Sequence, residues 1–319
     1  MADHIDIADF TEGESIKDFY IAKQKQVKQT RAGKDYLDLV IMDRSGTANG
    51  KVWDDAPGAA DLFQEGDIIK IEALIGTYKD TIDLNIKRLR AATADDPVGL
   101  EDLMPASPYD PAEMEQKIRG LLDTISNPHL KALADSFLAD DDFMNVFRRM
   151  TASKLIHHAY AAGLLEHTLS VMEILDNLSG HYTGIDRDRL LTGGFLHDIG
   201  KMKELSDSAD MSYTEEGTLL GHMFLGAEMV RERIAKLEAF PPALATEVLH
   251  MVLSHQGEPD WGSPVVPMTR EALIIHFVDN MDAKQFVVKR ALAEARGDSP
   301  FTGKIYPLNR PIYRGRDDE

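Results

Sequence analysis

The sequence predicts two domains of different class, a small all-β barrel followed by an all-α helical bundle. Three observations carry this. The 319 residues are long for one domain and comfortable for two. Up to about residue 90, short apolar runs alternate with turn clusters, whereas from 111 to about 296 apolar residues recur at spacings of three and four. Between the two regions, residues 96–110 hold Pro97, Pro105 and Pro108 among acidic and small residues and read as a linker.

The first strand opens on Phe19-Tyr20-Ile21-Ala22 and can run to Thr30. Tyr36–Met42 follows after Ala32-Gly33-Lys34. The turn cluster Asp43-Arg44-Ser45-Gly46 then separates it from Thr47–Trp53. A helical turn fits between Ala56 and Gln64, Ile68–Tyr78 is the fourth run, and Thr81–Leu89 is the fifth. Five strands with one helical insertion over residues 1–95 fit an OB-fold barrel that binds nucleic acid. The strand count alone also allows an SH3-like barrel.

The helical part starts at Asp110-Pro111-Ala112-Glu113. This is a capping aspartate, a proline at the first helical position and a glutamate three residues after the cap. Lead-in helices are predicted at 111–125, 129–139 and 141–150. The body of the domain, 151–296, holds helices at 154–178, 187–199, 218–238, 242–254 and 269–295. Residues 297–319 contain Gly, Pro and Arg and read as an irregular basic tail.

Hydrophobic residues make up 43 % and charged residues 28 %, which excludes a disordered or fibrous chain. There is no cysteine, so disulfides, zinc fingers, iron–sulfur clusters and thiol catalysis are excluded, and any metal must be held by His, Asp or Glu. The first ten residues are acidic and unlike a secretory signal. No stretch approaches the roughly 20 apolar residues of a membrane span. The expectation is a soluble cytoplasmic protein with no membrane partner.

The 54 acidic and 35 basic residues leave a net charge of −19, which by itself argues against nucleic acid. The distribution argues otherwise. Lys23, Lys25, Lys28, Arg31 and Lys34 fall in a stretch without acid, and strand parity places Lys17, Lys23 and Lys25 on one face. Lys87, Arg88 and Arg90 form a second cluster. From Lys284 to Arg316, eight basic residues face two acidic ones. Phe19, Tyr20, Tyr36, Trp53 and Tyr78 can supply stacking surfaces, with Tyr36 and Trp53 the nucleic-acid-binding candidates. The alternative for the lysines is a solvated edge strand.

The histidines carry the chemistry. His197-Asp198 sits in Gly194-Phe195-Leu196-His197-Asp198-Ile199-Gly200-Lys201, where apolar neighbours seat the element and Gly200 ends the helix. His167, His222, His255 and Asp279 lie on other predicted helices and can meet His197 and Asp198 only in a packed bundle. His157 and His158 fall off the face of His167 and read as packing or channel residues. His4, His129, His181, His250 and His276 read as ordinary surface or core histidines. Asp282 reads as a surface acid or a support for a ligand.

The order His167, His197-Asp198, Asp279 resembles the HD superfamily of metal-dependent phosphohydrolases, and Gly221-His222 with Ser254-His255 resembles its two-metal members. The runs Gly163–Val171, Leu196–Lys201 and Asp279–Lys284, behind a strand domain, resemble the YhaM-type 3′–5′ exoribonucleases. The resemblance implies hydrolysis of single-stranded RNA, and of single-stranded DNA as a second substrate, to nucleoside monophosphates. It implies one or two divalent ions; His and Asp ligands without Cys suit Mn²⁺, with Mg²⁺, Co²⁺ or Fe²⁺ as alternatives. Asp198 would bridge the ions and be catalytic. His167, His197 and Asp279 would complete the first site, and His222 and His255 would serve the second. Lys201 would be catalytic through contact with a substrate phosphate, with a solvated surface lysine as the equal alternative. That family usually has two adjacent histidines where this chain has His255-Gln256, which implies a second metal that is weaker or bound only with substrate. Two rivals stay open: a phosphohydrolase of small nucleotides, and a non-catalytic RNA-binding protein.

Overall fold

The computed structural model describes residues 4–30, 32–78, 81–153, 160–206, 212–295, 299–305 and 308–315. Arg31, His157, His158, Arg296 and Arg316 lie outside them. The chain forms two compact units, one built on Met1–Ala106 and one on Ser107–Leu205 and Tyr213–Glu319.

The first unit is a closed barrel of β1 (Ser15–Gln29), β2 (Asp35–Asp43), β3 (Gly46–Val52), β4 (Ile68–Tyr78) and β5 (Thr81–Ala91), with helix α1 (Ala56–Ala60) between β3 and β4. Around the barrel the strands run β1-β2-β3-β5-β4. Only β3 and β5 pair in parallel; the other pairs are antiparallel. That order is the OB fold, and it decides what the strand count left open. Alternation along the strands sends Tyr20, Leu37, Leu39, Ile41, Ile69, Ile71, Ile75 and Leu84 inside, all buried.

β1 carries a bulge between Ala22 and Gln24. The bulge shifts strand parity. Beyond it Lys25 lies opposite Leu39 of the interior. Lys17 lies opposite Glu72 and pairs with it. The expected shared face of Lys17 and Lys25 therefore does not form. Nor does the chain leave the barrel at residue 95. Helix α2 (Leu100–Leu103) follows, and Leu103 is buried against Phe19, Ile21 and Met42 on the outer side of β1 and β2.

The second unit is helical: α3 (Pro111–Asp123), α4 (Pro128–Leu138), α5 (Asp141–Phe147), α6 (Gly163–Ser179), α7 (Arg187–Leu196), α8 (Lys201–Glu204), α9 (Glu215–Lys236), α10 (Pro242–Ser254) and α11 (Arg270–Glu294). Asp110 caps α3, accepting from the Ala112 N–H at 2.8 Å. Among the described residues, α6 starts at Gly163, after Ala162 in the left-handed region, and not near the expected residue 154. α7 is the central element: Leu190 to Gly200 are all buried. Two glycines permit this. A Cβ on Gly193 would stand 2.5 Å from Ile275, and one on Gly194 2.6 Å from Leu175.

Candidate metal centre

α7 stops at Leu196, and His197 caps it. The chain then turns through Asp198 to α8, so His197 and Asp198 leave the end of a rigid, buried helix. α6 brings His167, α9 brings His222, the C-terminal end of α10 brings His255, and α11 brings Asp279. Four of these side chains are almost wholly enclosed: His167, His197, Asp198 and His255.

The donors fall into two sets that share Asp198. In one, Asp198 Oδ2 lies 3.5 Å from His167 Nε2 and 3.4 Å from His197 Nε2. His167 Nε2 is also 3.2 Å from Asp279 Oδ1. In the other, Asp198 Oδ1 lies 3.4 Å from His255 Nε2 and 3.7 Å from His222 Nε2. Within each set the donor atoms lie within 4.8 Å of one another. Asp198 Oδ1, His222 Nε2 and His255 Nε2 are buried and find no hydrogen-bond partner among the described residues. Converging lone pairs left unsatisfied in a protein interior are costly, and a cation satisfies them together. The residues fit a divalent metal.

Each histidine is held from behind through Nδ1, which leaves Nε2 for the centre. His197 Nδ1 donates to Gly194 O and His255 Nδ1 to Val252 O, both at 2.8 Å. His167 Nδ1 bonds Asp282 Oδ2 at 2.7 Å, and Ser170 Oγ donates to the other oxygen of Asp282. His222 Nδ1 bonds Glu204 Oε1 at 3.0 Å. The same oxygen accepts the His222 backbone N–H at 2.9 Å. That backbone bond exists because Gly221 breaks α9 with φ 73 and ψ 155, a conformation that excludes other residues.

Burial works against charge at this centre, and at Asp198, Asp279 and His167 the neighbours outweigh it. Burial would raise the Asp198 carboxyl, but Lys201 and His197 hold it well below the usual range. Burial opposes the ionised Asp279 as well, and His167 and His197 hold it low. Burial would lower His167, but its bonds to Asp279 and Asp282 push it up to about 9. Burial lowers His255, which favours its neutral, ligating form. Lys201 is buried and ion-paired with Asp198 Oδ2, so it is not a solvated lysine.

Glu204 and His276 were not among the expected site residues. Glu204 lies on α8, and only the pairing of α8 with α9 brings it to His222. His276 Nδ1 donates to the backbone carbonyl of His255 at 2.9 Å, which ties the end of α10 to α11. Of the two readings of Asp282, surface acid or support, the structure shows the second: it lies one helical turn after Asp279 and bonds His167 Nδ1.

In the barrel the candidate residues are placed as follows. Tyr36 and Trp53 stack with centroids 5.0 Å apart, and Trp53 is 38 % exposed. Tyr20 is buried, its hydroxyl donating to Ile5 O at 2.8 Å. Phe19 is buried beneath Lys70. Lys25 donates to Ala60 O at 2.6 Å and also to Phe63 O, closing the end of α1. Lys28 pairs with Asp38, and Lys34 with Asp54 at 3.2 Å. Lys23 is half-buried on β1. The structure thus keeps the aromatic pair available and commits Lys25 to the barrel.

Residues 164–284 match the HD domain family. Both ligand sets lie inside the matched segment, and the match indicates a metal-dependent phosphohydrolase domain. Among solved structures, the second OB-fold domain of replication protein A from Methanococcus maripaludis is 14 % identical. It covers 30 % of this chain and 98 % of its own, with a TM-score of 0.23. Asparaginyl-tRNA synthetase of Entamoeba histolytica, solved with asparaginyl-adenylate, is 13 % identical over 42 % of this chain and 35 % of its own, TM-score 0.24. A putative aspartyl-tRNA synthetase from Leishmania major Friedlin is 15 % identical over 46 % and 32 %, TM-score 0.21. The chain spans about a third of each synthetase. The barrel's class rests on its strand order and not on these likenesses.

Proposed function

We propose that the protein is a metal-dependent 3′–5′ exoribonuclease that hydrolyses single-stranded RNA to nucleoside monophosphates, with Mn²⁺ as its working ion. The observation that carries the reading is the two-sided use of Asp198: one oxygen faces His167 and His197, the other His222 and His255. A phosphodiester resists attack because it is anionic and water is a poor nucleophile. Divalent ions bound by these residues would lower the pKa of water and offset charge on the phosphoryl oxygens. In this reading His167, His197 and Asp279 would hold one ion and His222 and His255 the other, with Asp198 belonging to both sets.

The remaining residues position these. Asp282 and Glu204 fix the tautomers of His167 and His222. Lys201 balances the charge gathered at Asp198. The nucleic-acid part of the reading draws on an OB-fold barrel in the same chain. Its β2–β3 side presents the Tyr36–Trp53 pair, a surface on which bases stack. A phosphohydrolase of small nucleotides would need no such surface.

The test is digestion of 5′-labelled and 3′-labelled single-stranded RNA with Mn²⁺, Mg²⁺ or a chelator. The 5′ label should pass through a ladder of shortening products, while the 3′ label appears at once as a mononucleotide. The chelator should stop both. Turnover of mononucleotides or cyclic nucleotides with intact RNA would move the assignment to the small-nucleotide rival.

A further inference from the structure

Trp261 lies outside both ligand sets, yet it is built onto them. Gly257, at φ +82, lets the chain turn sharply after His255, and a Cβ there would stand 2.1 Å from the His276 ring. The short turn Pro259–Trp261 then lays the indole beside His276, with centroids 6.0 Å apart at 39°. His276 in turn is hydrogen-bonded to the His255 carbonyl. One imidazole therefore separates the indole from a candidate metal ligand.

The level of the indole along α11 follows from helix geometry. It packs against His276, and Lys284 Nζ lies over the ring, 5.6 Å from its centroid. His276 and Lys284 bracket Asp279, about 4.5 Å before and about 7.5 Å after it at 1.5 Å rise per residue. The indole thus stands at the level of Asp279, roughly a quarter to a third of a turn around the helix. It is 48 % exposed.

We infer that Trp261 is the platform for the nucleobase at the scissile end of the substrate, and that Lys284 contacts the adjoining phosphate. This rests on the exoribonuclease reading. A nucleobase is favoured over an aliphatic partner because the platform pairs a flat, half-exposed π surface with an ammonium group that reaches over it. That is the combination that holds a base and a phosphate of one nucleotide. Every base has a π face, so the contact tolerates any sequence.

The protein has two tryptophans, Trp53 and Trp261, so a Trp53→Phe variant reports Trp261 alone by fluorescence. Adenosine 5′-monophosphate should quench this emission and ribose 5-phosphate should not. In the otherwise native protein, Trp261→Ala should lower kcat/KM on RNA about 5- to 150-fold, and Trp261→Phe should restore most of it. An RNA whose 3′-terminal nucleotide is abasic should lose the same factor with the native protein and nothing further with Trp261→Ala. If the native protein degrades both RNAs equally and Trp261→Ala matches it, the platform is refuted while the exoribonuclease reading stands. If the native protein degrades no RNA, that reading fails, and equal quenching by ribose 5-phosphate and adenosine 5′-monophosphate refutes the platform separately.

Discussion

Gly200 contributes no donor atom to the candidate metal centre, yet its replacement by alanine should dismantle half of it. Gly200 sits where the turn after Asp198 passes against α9. A Cβ there would stand 1.9 Å from His222 O, 2.8 Å from His222 C and 2.5 Å from Gly226 N. Non-bonded atoms settle at roughly 3.5 Å, so the two backbones must part by about 1.5 Å. Backbone cannot rotate away as a side-chain tip would, which places the cost at the upper end of overpacking, about 3 kcal/mol. In a unit of this size that lowers Tm by roughly 6–12 °C. The displaced segment carries His222, whose Nε2 is already 3.7 Å from Asp198 Oδ1. The set of Asp198, His222 and His255 should lose its ion, while His167, His197 and Asp279, not contacted by this Cβ, keep theirs. Calorimetry and metal analysis by mass spectrometry read both effects. Gly120 on α3 is the matched control, because a Cβ there meets nothing within 4 Å. Gly120→Ala should raise stability by about 1 kcal/mol. A Gly200→Ala protein with native Tm and undiminished metal content would refute the close-approach argument.

Other outcomes follow from the same geometry. Asp198→Ala should end hydrolysis, but it strips buried Lys201 of its partner at a cost of about 3–5 kcal/mol. The clean test therefore adds Lys201→Met, and hydrolysis by that folded double variant would sink the role of Asp198. Asp282→Asn removes the carboxylate behind His167 and should weaken metal binding about 10- to 100-fold by calorimetric titration, with little change in Tm. Glu115 accepts from Arg148 and from Arg119, the latter at 2.7 Å, and Arg148 above all holds its carboxyl below the usual range. A depressed carboxyl contributes stability that is present above its unfolded pKa and lost as pH falls through the folded one. Glu115→Gln should therefore cost about 2 kcal/mol at neutral pH, and denaturation curves should converge with the native protein in acid. RNA binding should weaken only gently with salt, by about 0.7 in log K per log unit for each phosphate contacted, because few basic residues are concentrated together.

The sequence by itself determined the class of both units. Strand alternation and helical spacing are local properties, and caps such as Asp110 before Pro111 are written in adjacent residues. The side chains that the packing gathers were legible too as candidates, since His, Asp and their order survive without coordinates. What local pattern could not carry was anything set by two backbones meeting. The bulge at Ala22–Gln24 reverses strand parity and sends Lys25 to the carbonyls of α1, away from Lys17. The proline-rich segment looked like a free linker, yet burying Leu103 on Phe19 and Ile21 holds its first part to the barrel. Glu204 joins His222 only because glycines at 200 and 217 let α8 lie directly against α9, where a Cβ on Gly217 would be 2.2 Å from Glu204 O. Most of all, sequence order cannot say which oxygen of Asp198 faces which histidine. The tertiary structure decided that, because only the packing of α6, α9, α10 and α11 around the end of α7 puts two imidazoles on each side of one carboxylate.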